Sequence, residues 1–355
     1  VADTPVPLTA RAARLTVAGL FAQQAARHPE RIALETDTRS LGYRELDERT
    51  TRLANALRAR GLGSGDRVAV VSENRGEYVE LELAAAKLGI VLACQNWRQS
   101  DEELQYCIRL VSPKLLVHSR RHGEAVARSA HGVPEVLELE AGFEALVAQG
   151  GTEPPAGGID PETGLIILYT SGTTGMPKGA LISQRAIIAR AMVARIDTPV
   201  QPGDSFVAWA PLFHMVSTDS VYATLMHGGK VVVMDGLDVP RLVELAAREQ
   251  FGHFTLMPGM IDRVIEEIER TGRTPKGARS IGSMADLVPL DQIARITRLF
   301  NAPYRNSFGS TETGGPPASG GLVPSDLEPR KLSEPQNTFC AIRPVDEDDN
   351  EVPHG

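Results

Sequence analysis

Cysteine is scarce and scattered in this 355-residue chain, which holds three, at Cys94, Cys107 and Cys340. An odd number, widely spaced and without a CxxC pair, argues against a disulfide framework or a zinc site and fits a reducing, cytoplasmic setting. Aromatic residues are also few, 5% of the chain, and no basic run interleaves with them. With a net charge of −8, the chain has no electrostatic footprint for nucleic acid. No uninterrupted apolar stretch is long enough to span a bilayer. Asp3, Arg11 and Arg14 break a weak apolar run at the N-terminus, which is not the pattern of a signal peptide.

What is present is an ordinary globular balance, 42% hydrophobic and 23% charged, at a length that suggests two or more domains or subdomains. Patterning predicts helices over 15–28, 44–60, 77–88 and 101–110. Between them lie strands starting at Ile32 and over 67–71, 89–92 and 114–118. Arg67–Val71 is nearly continuously apolar beyond its first residue, as in a strand buried on both faces of a parallel sheet. A strand at 165–169 runs into a loop of small residues. After it come helices near 184–195, 217–226, 240–249, 260–270 and 290–299, and strands at 206–210, 230–234 and 253–257. The alternation implies an α/β fold: two packed subdomains with mostly parallel sheets flanked by helices. The expected boundaries are 1–165 and 166–336. A strand over 339–345 and an acidic turn at 346–350 would begin a small β-rich piece over 337–355.

The sharpest feature follows the strand at 165–169. Thr170-Ser171-Gly172-Thr173-Thr174-Gly175-Met176-Pro177-Lys178-Gly179 combines three glycines, hydroxyl side chains and a lysine. Glycines let backbone approach phosphate oxygens, and successive N–H groups form an anion-binding concavity. It is not a Walker A loop, because Gly172 and Gly175 are too close and no Ser or Thr follows the lysine. Outside its context it would read as a flexible surface loop.

This string resembles the nucleotide loop of the acyl-adenylate-forming superfamily, which includes acyl-CoA and aryl-CoA synthetases, luciferases and peptide-synthetase adenylation domains. Ala210-Pro211-Leu212-Phe213-His214 and Asn306-Ser307-Phe308-Gly309-Ser310-Thr311-Glu312-Thr313-Gly314 resemble two further motifs of that family, in the same order. The resemblance covers essentially the whole chain.

It implies roles residue by residue. Thr170, Ser171, Gly172, Thr173, Thr174, Gly175 and Lys178 would serve the β- and γ-phosphates of ATP. Gly282, Ser283, Met284, Asn306, Ser307, Phe308 and Ser310 would line the nucleotide, with Phe308 against adenine. Gly309 would let the acyl group and α-phosphate approach the backbone, and Thr311 would bond that phosphate. Glu312 would hold Mg²⁺, a cation that prefers oxygen ligands; taken alone, it would read as a solvated loop carboxylate. Thr170, Lys178 and Glu312 would be the catalytic set.

Acyl-site candidates are His214, Met215, Asp219, Met257, Pro258, Met284, Gly309 and Gly314. His214 stands where amino-acid-activating relatives place an aspartate, which favours a plain carboxylic acid. A lone histidine is more often a surface or core residue, and Asp219 also reads as a helix N-terminal carboxylate.

Two departures stand out. The family's Gly-Gly-Ala-Pro-like turn is here Gly282-Ser283-Met284-Ala285-Asp286, without the proline. Its ribose-binding aspartate, hinge and C-terminal lysine would lie beyond Gly355, so a fragment is expected. The implied function is an ATP-dependent acid–thiol ligase that makes an aryl, alicyclic or fatty acyl-AMP and passes the acyl group to coenzyme A. Three alternatives stay open: transfer to a carrier-protein thiol, a member specialised for thioester formation from preformed acyl-AMP, and a non-enzymatic nucleotide-binding module. A homodimer is compatible with the sequence.

Overall fold

The computed structural model describes residues 14–155, 157–170, 175–329 and 332–352. The chain falls into two compact units. The first takes residues up to Ala189 together with Gln201–Asp238, and the second takes Arg190–Val200 together with Val239–Gly355. The division differs from the contiguous 1–165 and 166–336 scheme: residues 166–189 stay in the first unit, and one pairing returns a later segment to it. Strand β1 (Ile32–Glu35) lies parallel to β10 (Lys230–Val233), which lies parallel to β9 (Ser205–Ala208), so residues 201–238 return to the first unit. Strand β2 (Ser40–Gly42) completes this four-stranded sheet, in the order β2-β1-β10-β9.

The first unit also holds a six-stranded sheet, ordered β6-β5-β3-β4-β7-β8. Its members are β3 (Arg67–Val71), β4 (Val91–Cys94), β5 (Leu115–His118), β6 (Glu135–Glu138), β7 (Gly164–Thr170) and β8 (Lys178–Ser183). All pairings are parallel except that of β8, which returns antiparallel to β7. The sequence did not signal this return strand, since Gly179 and Pro177 depress strand propensity.

Helices α1 (Val17–Arg27), α2 (Tyr43–Ala59), α3 (Gly76–Leu88), α4 (Asp101–Val111), α5 (Gly123–Ser129) and α6 (Leu139–Gln149) belong to this unit. Helix α4 shows why the local sequence folds as it does. Ser100 Oγ accepts the Glu103 amide at 3.3 Å, and the Glu103 carboxylate accepts the Ser100 amide at 3.0 Å, a capping box. Leu104, Ile108 and Val111 then recur at helical spacing and pack with Ala69, Val71, Ala93 and Leu116 in one core. Helix α7 (Gln184–Ile196) contributes residues to both units, and α8 (Met215–Met226) belongs to the first.

The second unit carries α9 (Val239–Arg248), α10 (Ile261–Thr271) and α11 (Leu290–Phe300). The expected strand at 253–257 is reduced to isolated parallel bridges, Phe251 with Ala278, Phe254 with Ile281 and Ile281 with Tyr304. Gly252 and Pro258 bracket the segment and curtail it. Phe251, Phe254 and Phe300 stack beneath, with ring centroids 4.8 and 4.7 Å apart. Two small antiparallel pairs follow: β11 (Tyr304–Arg305) with β14 (Leu322–Val323), and β12 (Phe308–Ser310) with β13 (Gly314–Ala318). The expected strand over 339–345 does not form, and this stretch shows one bridge, Val345 with Glu351. The acidic turn is present: an Asp346 carboxylate oxygen accepts the amides of Asp348 and Asn350, both at 2.9 Å. Among the described residues no helix is long and apolar enough to cross a membrane.

Candidate functional site

In the first unit, the β7–β8 hairpin sets Thr170 opposite Lys178 across its mouth. Ser171, Gly172, Thr173 and Thr174 lie outside the described residues. Gly175 has φ +98°, a left-handed conformation that favours glycine. The start of the loop is anchored by Tyr169, whose hydroxyl donates to the Cys107 carbonyl at 3.1 Å and accepts from Gln95 at 2.9 Å. Lys178 is exposed, and its stem lines an open groove of about 500 Å³ with Arg67, Leu110 and Leu181.

His214 caps α8, its Nδ1 accepting the Val216 amide at 3.3 Å. Accepting there requires a neutral ring. His214 is exposed, yet desolvation by the surrounding protein holds its pKa below the ordinary histidine value, in the same direction. Met215 and Asp219 are the first and fifth residues of that helix, both half-buried. The segment before His214 is set by a residue the sequence reading missed. Asn74, 8% exposed, donates to the carbonyls of Ala208, Ala210 and Met234 at 3.0, 2.8 and 3.1 Å, and accepts the Leu212 amide at 2.8 Å. Ser217 adds a bond to the Ala210 carbonyl at 2.6 Å. Phe213 meets the edge of Trp97 at 6.2 Å, and the Arg98 guanidinium lies over both rings. The polar triplet Ser72-Glu73-Asn74 directly after a buried parallel strand was the available clue.

In the second unit, the three bridged segments run parallel. The residues after each bridge therefore leave at the same end: Met257 and Pro258 after Phe254, Gly282–Met284 after Ile281, and Asn306–Phe308 after Tyr304. Such carboxyl ends are where open α/β sheets place ligands. Gly282 has φ +81°, and a Cβ there would lie 2.1 Å from the Tyr304 ring. Met284 also sits in the left-handed region, at φ +47°, which costs a non-glycine residue about 1 kcal/mol. The turn is held from behind by the Asn306 side chain, 2% exposed, whose Oδ1 accepts the Ala285 amide at 2.8 Å. In this structure Asn306 thus shapes the turn. Ser283 and Ser307 hydroxyls lie 3.4 Å apart.

Phe308 is 61% exposed, so a ring face is open to a flat ligand. Gly309 has a structural reason of its own: a Cβ there would lie 2.2 Å from the Gly314 carbonyl across the β12–β13 hairpin. At the hairpin tip, Ser310 and Thr313 exchange bonds of 3.1 and 3.2 Å, which leaves Thr311 and Glu312 at the turn with Glu312 exposed. Among the described residues no group of three or more His, Cys, Asp or Glu side chains could hold a metal. One exposed carboxylate fits Mg²⁺ if phosphate oxygens and water complete its shell.

The sequence profile of the AMP-binding enzyme family matches residues 21–355. The chain is 30% identical over 223 residues to feruloyl-CoA synthase of Amycolatopsis sp, covering 62% of this chain and 44% of that protein. It is 26% identical over 338 residues to the indoleacetate–CoA ligase of Aromatoleum aromaticum, covering 92% and 66%. The chain thus spans between 44% and 66% of the length of these two curated relatives. The N-terminal domain of FACL13 from Mycobacterium tuberculosis superposes with a TM-score of 0.86 at 20% identity, covering 96% of this chain and 87% of that one. At that identity the match shows the fold.

Proposed function

The chain belongs to the AMP-binding enzyme family, and on that premise we propose that the protein activates a carboxylic acid with ATP and transfers the acyl group to coenzyme A. The observation that carries this reading is the common exit of 257–258, 282–284 and 306–308 at one end of the second unit, beside a hairpin tip bearing Thr311 and Glu312.

In the first half-reaction a substrate carboxylate oxygen attacks the α-phosphorus of ATP. The bond to the bridging oxygen breaks and pyrophosphate leaves with its electron pair. In the second, the thiol sulfur attacks the acyl carbon, its proton goes to solvent or a base, and AMP departs. The chain's part is positioning and charge stabilisation. Phe308 would stack on adenine, and Thr311 would donate to an α-phosphate oxygen. Lys178 and the N–H groups of the 170–175 loop would neutralise the leaving phosphates. Glu312 would hold Mg²⁺, which supplies charge neutralisation on the phosphates when bound. His214 and Met215 would border the acyl group, and a neutral His214 suits an uncharged acid body.

The test is to incubate the intact protein with Mg·ATP, coenzyme A and panels of aryl, alicyclic and fatty acids, and to read AMP and acyl-CoA by mass spectrometry. AMP release that depends on one acid class and on coenzyme A is expected. AMP release without acyl-CoA, restored by a carrier-protein thiol, would redirect the second half-reaction; no AMP with any class would overturn the reading.

A further inference from the structure

We propose that Arg190 is a positioning residue for the nucleotide-binding hairpin, acting through the backbone of Thr311 and Glu312; this rests on the adenylating reading above. Arg190 lies on α7, in the second unit's share of that helix, and is 8% exposed. One terminal nitrogen, Nη2, donates to the carbonyl oxygen of Glu312 at 2.7 Å and to that of Thr311 at 3.1 Å. Both acceptors belong to the two residues proposed to meet the α-phosphate and the metal.

The hairpin is shaped around this side chain. Gly314 sits at φ +78°, and a Cβ there would lie 2.6 Å from Arg190 Cδ and 2.9 Å from its Nε. The chain after the turn therefore closes down on the arginine stem, with no room for a side chain. The two consecutive carbonyls turn onto the buried guanidinium, while the Glu312 side chain stays exposed. The Ser310–Thr313 exchange closes the turn on either side of Thr311 and Glu312. Their two carbonyls are thus held by Arg190 within a turn already closed by its flanking residues, before any ligand arrives. Hydrogen bonds from a charged donor to carbonyls are the strong kind, and a planar fork with several N–H groups is hard to replace. A fixed tip needs no reordering when a nucleotide binds. A buried positive charge behind the tip also favours the negative phosphate and carboxylate charge gathered there.

A residue that merely stabilised the fold would not affect the nucleotide and the metal selectively. Loss of the clamp should weaken Mg·ATP binding and raise the Mg²⁺ needed for catalysis, while acyl transfer from supplied acyl-AMP, which needs no metal on leaving phosphates, changes less. The experiment uses the intact protein and the variants Arg190→Gln, Arg190→Lys and Arg190→Ala. Mg·ATP affinity is read by calorimetry, and the Mg²⁺ half-saturation of pyrophosphate exchange is read separately. Arg190→Gln is expected to weaken Mg·ATP by about tenfold or more and to raise the Mg²⁺ half-saturation in parallel. Arg190→Lys, which reaches one carbonyl with a compact charge, should fall between Gln and the parent. If Arg190→Ala fails to fold, Arg190→Lys carries the test. Mg·ATP affinity and Mg²⁺ half-saturation within about twofold of the parent in Arg190→Gln would overturn the inference alone. A parent protein that binds no Mg·ATP would overturn the adenylating reading, and the inference with it.

Discussion

The Tyr304 hydroxyl grips both ends of one residue: it accepts the amide hydrogen of Ser283 at 3.2 Å and donates to the carbonyl of Ser283 at 2.9 Å. A phenol that both donates and accepts in this way holds the 282–284 turn. Burial pushes the Tyr304 pKa up to about 12, so the hydroxyl stays protonated and can donate across the working pH range. Tyr304→Phe keeps the ring that Gly282 packs against and removes both bonds. The expected loss is about 1–2 kcal/mol of unfolding free energy, because two half-buried backbone groups lose their partner. Urea denaturation should show a lower midpoint with an unchanged slope.

Gly282→Ala tests the same contact from the other side. A Cβ 2.1 Å from the Tyr304 ring, on a residue with φ +81°, cannot be accommodated without moving the ring or the turn. The variant should lose more stability than Tyr304→Phe, by about 3 kcal/mol or more. The combination of Gly282→Ala with Tyr304→Ala should recover part of that loss, which a double-mutant cycle would read.

Asn74 makes a prediction about the acid instead of the nucleotide. It bonds three carbonyls and one amide on the segments that lead to His214. Asn74→Leu removes all four bonds; the three carbonyls keep a second donor each, from Met234, Ser217 and Gly236, while the buried Leu212 amide loses its partner, and the expected destabilisation is about 2 kcal/mol. Asn74→Asp keeps one acceptor and loses the donors. In whatever fraction folds, KM for the acid should rise more than KM for ATP, as steady-state kinetics with each varied in turn would show.

Two ionisable groups, one buried and one half-buried, give stability trends of opposite sign. Glu80 and Glu82 are both fully buried on α3. Glu80 is bonded by Arg39 and Arg49, whereas neither carboxylate oxygen of Glu82 has a hydrogen-bond partner among the described residues. Burial, reinforced by the charge of Asp219, holds the Glu82 pKa well above the ordinary glutamate value. The folded protein keeps that proton while the unfolded chain loses it, so stability falls as pH rises above about 4.5, by about 1 kcal/mol per pH unit until the folded group ionises. Glu82→Gln removes this loss, and its advantage over the parent should grow between pH 5 and pH 8.

His253 works the other way. Its Nδ1 lies 2.9 Å from Ser280 Oγ, and burial with help from the charge of Arg305 lowers its pKa to about 3. The unfolded chain takes up a proton near pH 6.5 and the folded one does not. Stability is therefore complete above 6.5 and is lost as pH falls, by about 1 kcal/mol at pH 5.5. His253→Asn should flatten the melting temperature between pH 7 and 5.5; an unchanged slope would remove His253 from the account.

The sequence nominates candidate site residues where the signal is local. Phe308-Gly309-Ser310-Thr311-Glu312 and the loop from Thr170 to Lys178 are short strings whose residue order resembles a family's phosphate and metal motifs. It did not carry Arg190, Tyr304 or Asn74, because each acts on a partner far along the chain and its own neighbourhood looks ordinary. Arg190 sits in a helix, and its acceptors lie more than a hundred residues away. The fold divides similarly. Period and punctuation place most helices within a few residues, but no local pattern tells that β1 will pair with β10. That pairing moves residues 201–238 into the first unit. Gly309 gives a related lesson: its smallness has a sufficient cause in the Gly314 carbonyl across the hairpin, before any ligand is considered.

The central claim is that the hairpin tip bearing Thr311 and Glu312 serves the reacting phosphates of ATP. Isotopic pyrophosphate exchange, run on the intact protein with its acid and compared between the parent and Glu312→Gln, tests it most directly. The account predicts exchange in the parent and a loss of about a hundredfold in Glu312→Gln, with binding of a non-hydrolysable acyl-adenylate mimic retained within about threefold. Glu312→Gln exchanging pyrophosphate as fast as the parent at the same Mg²⁺ concentration would contradict it.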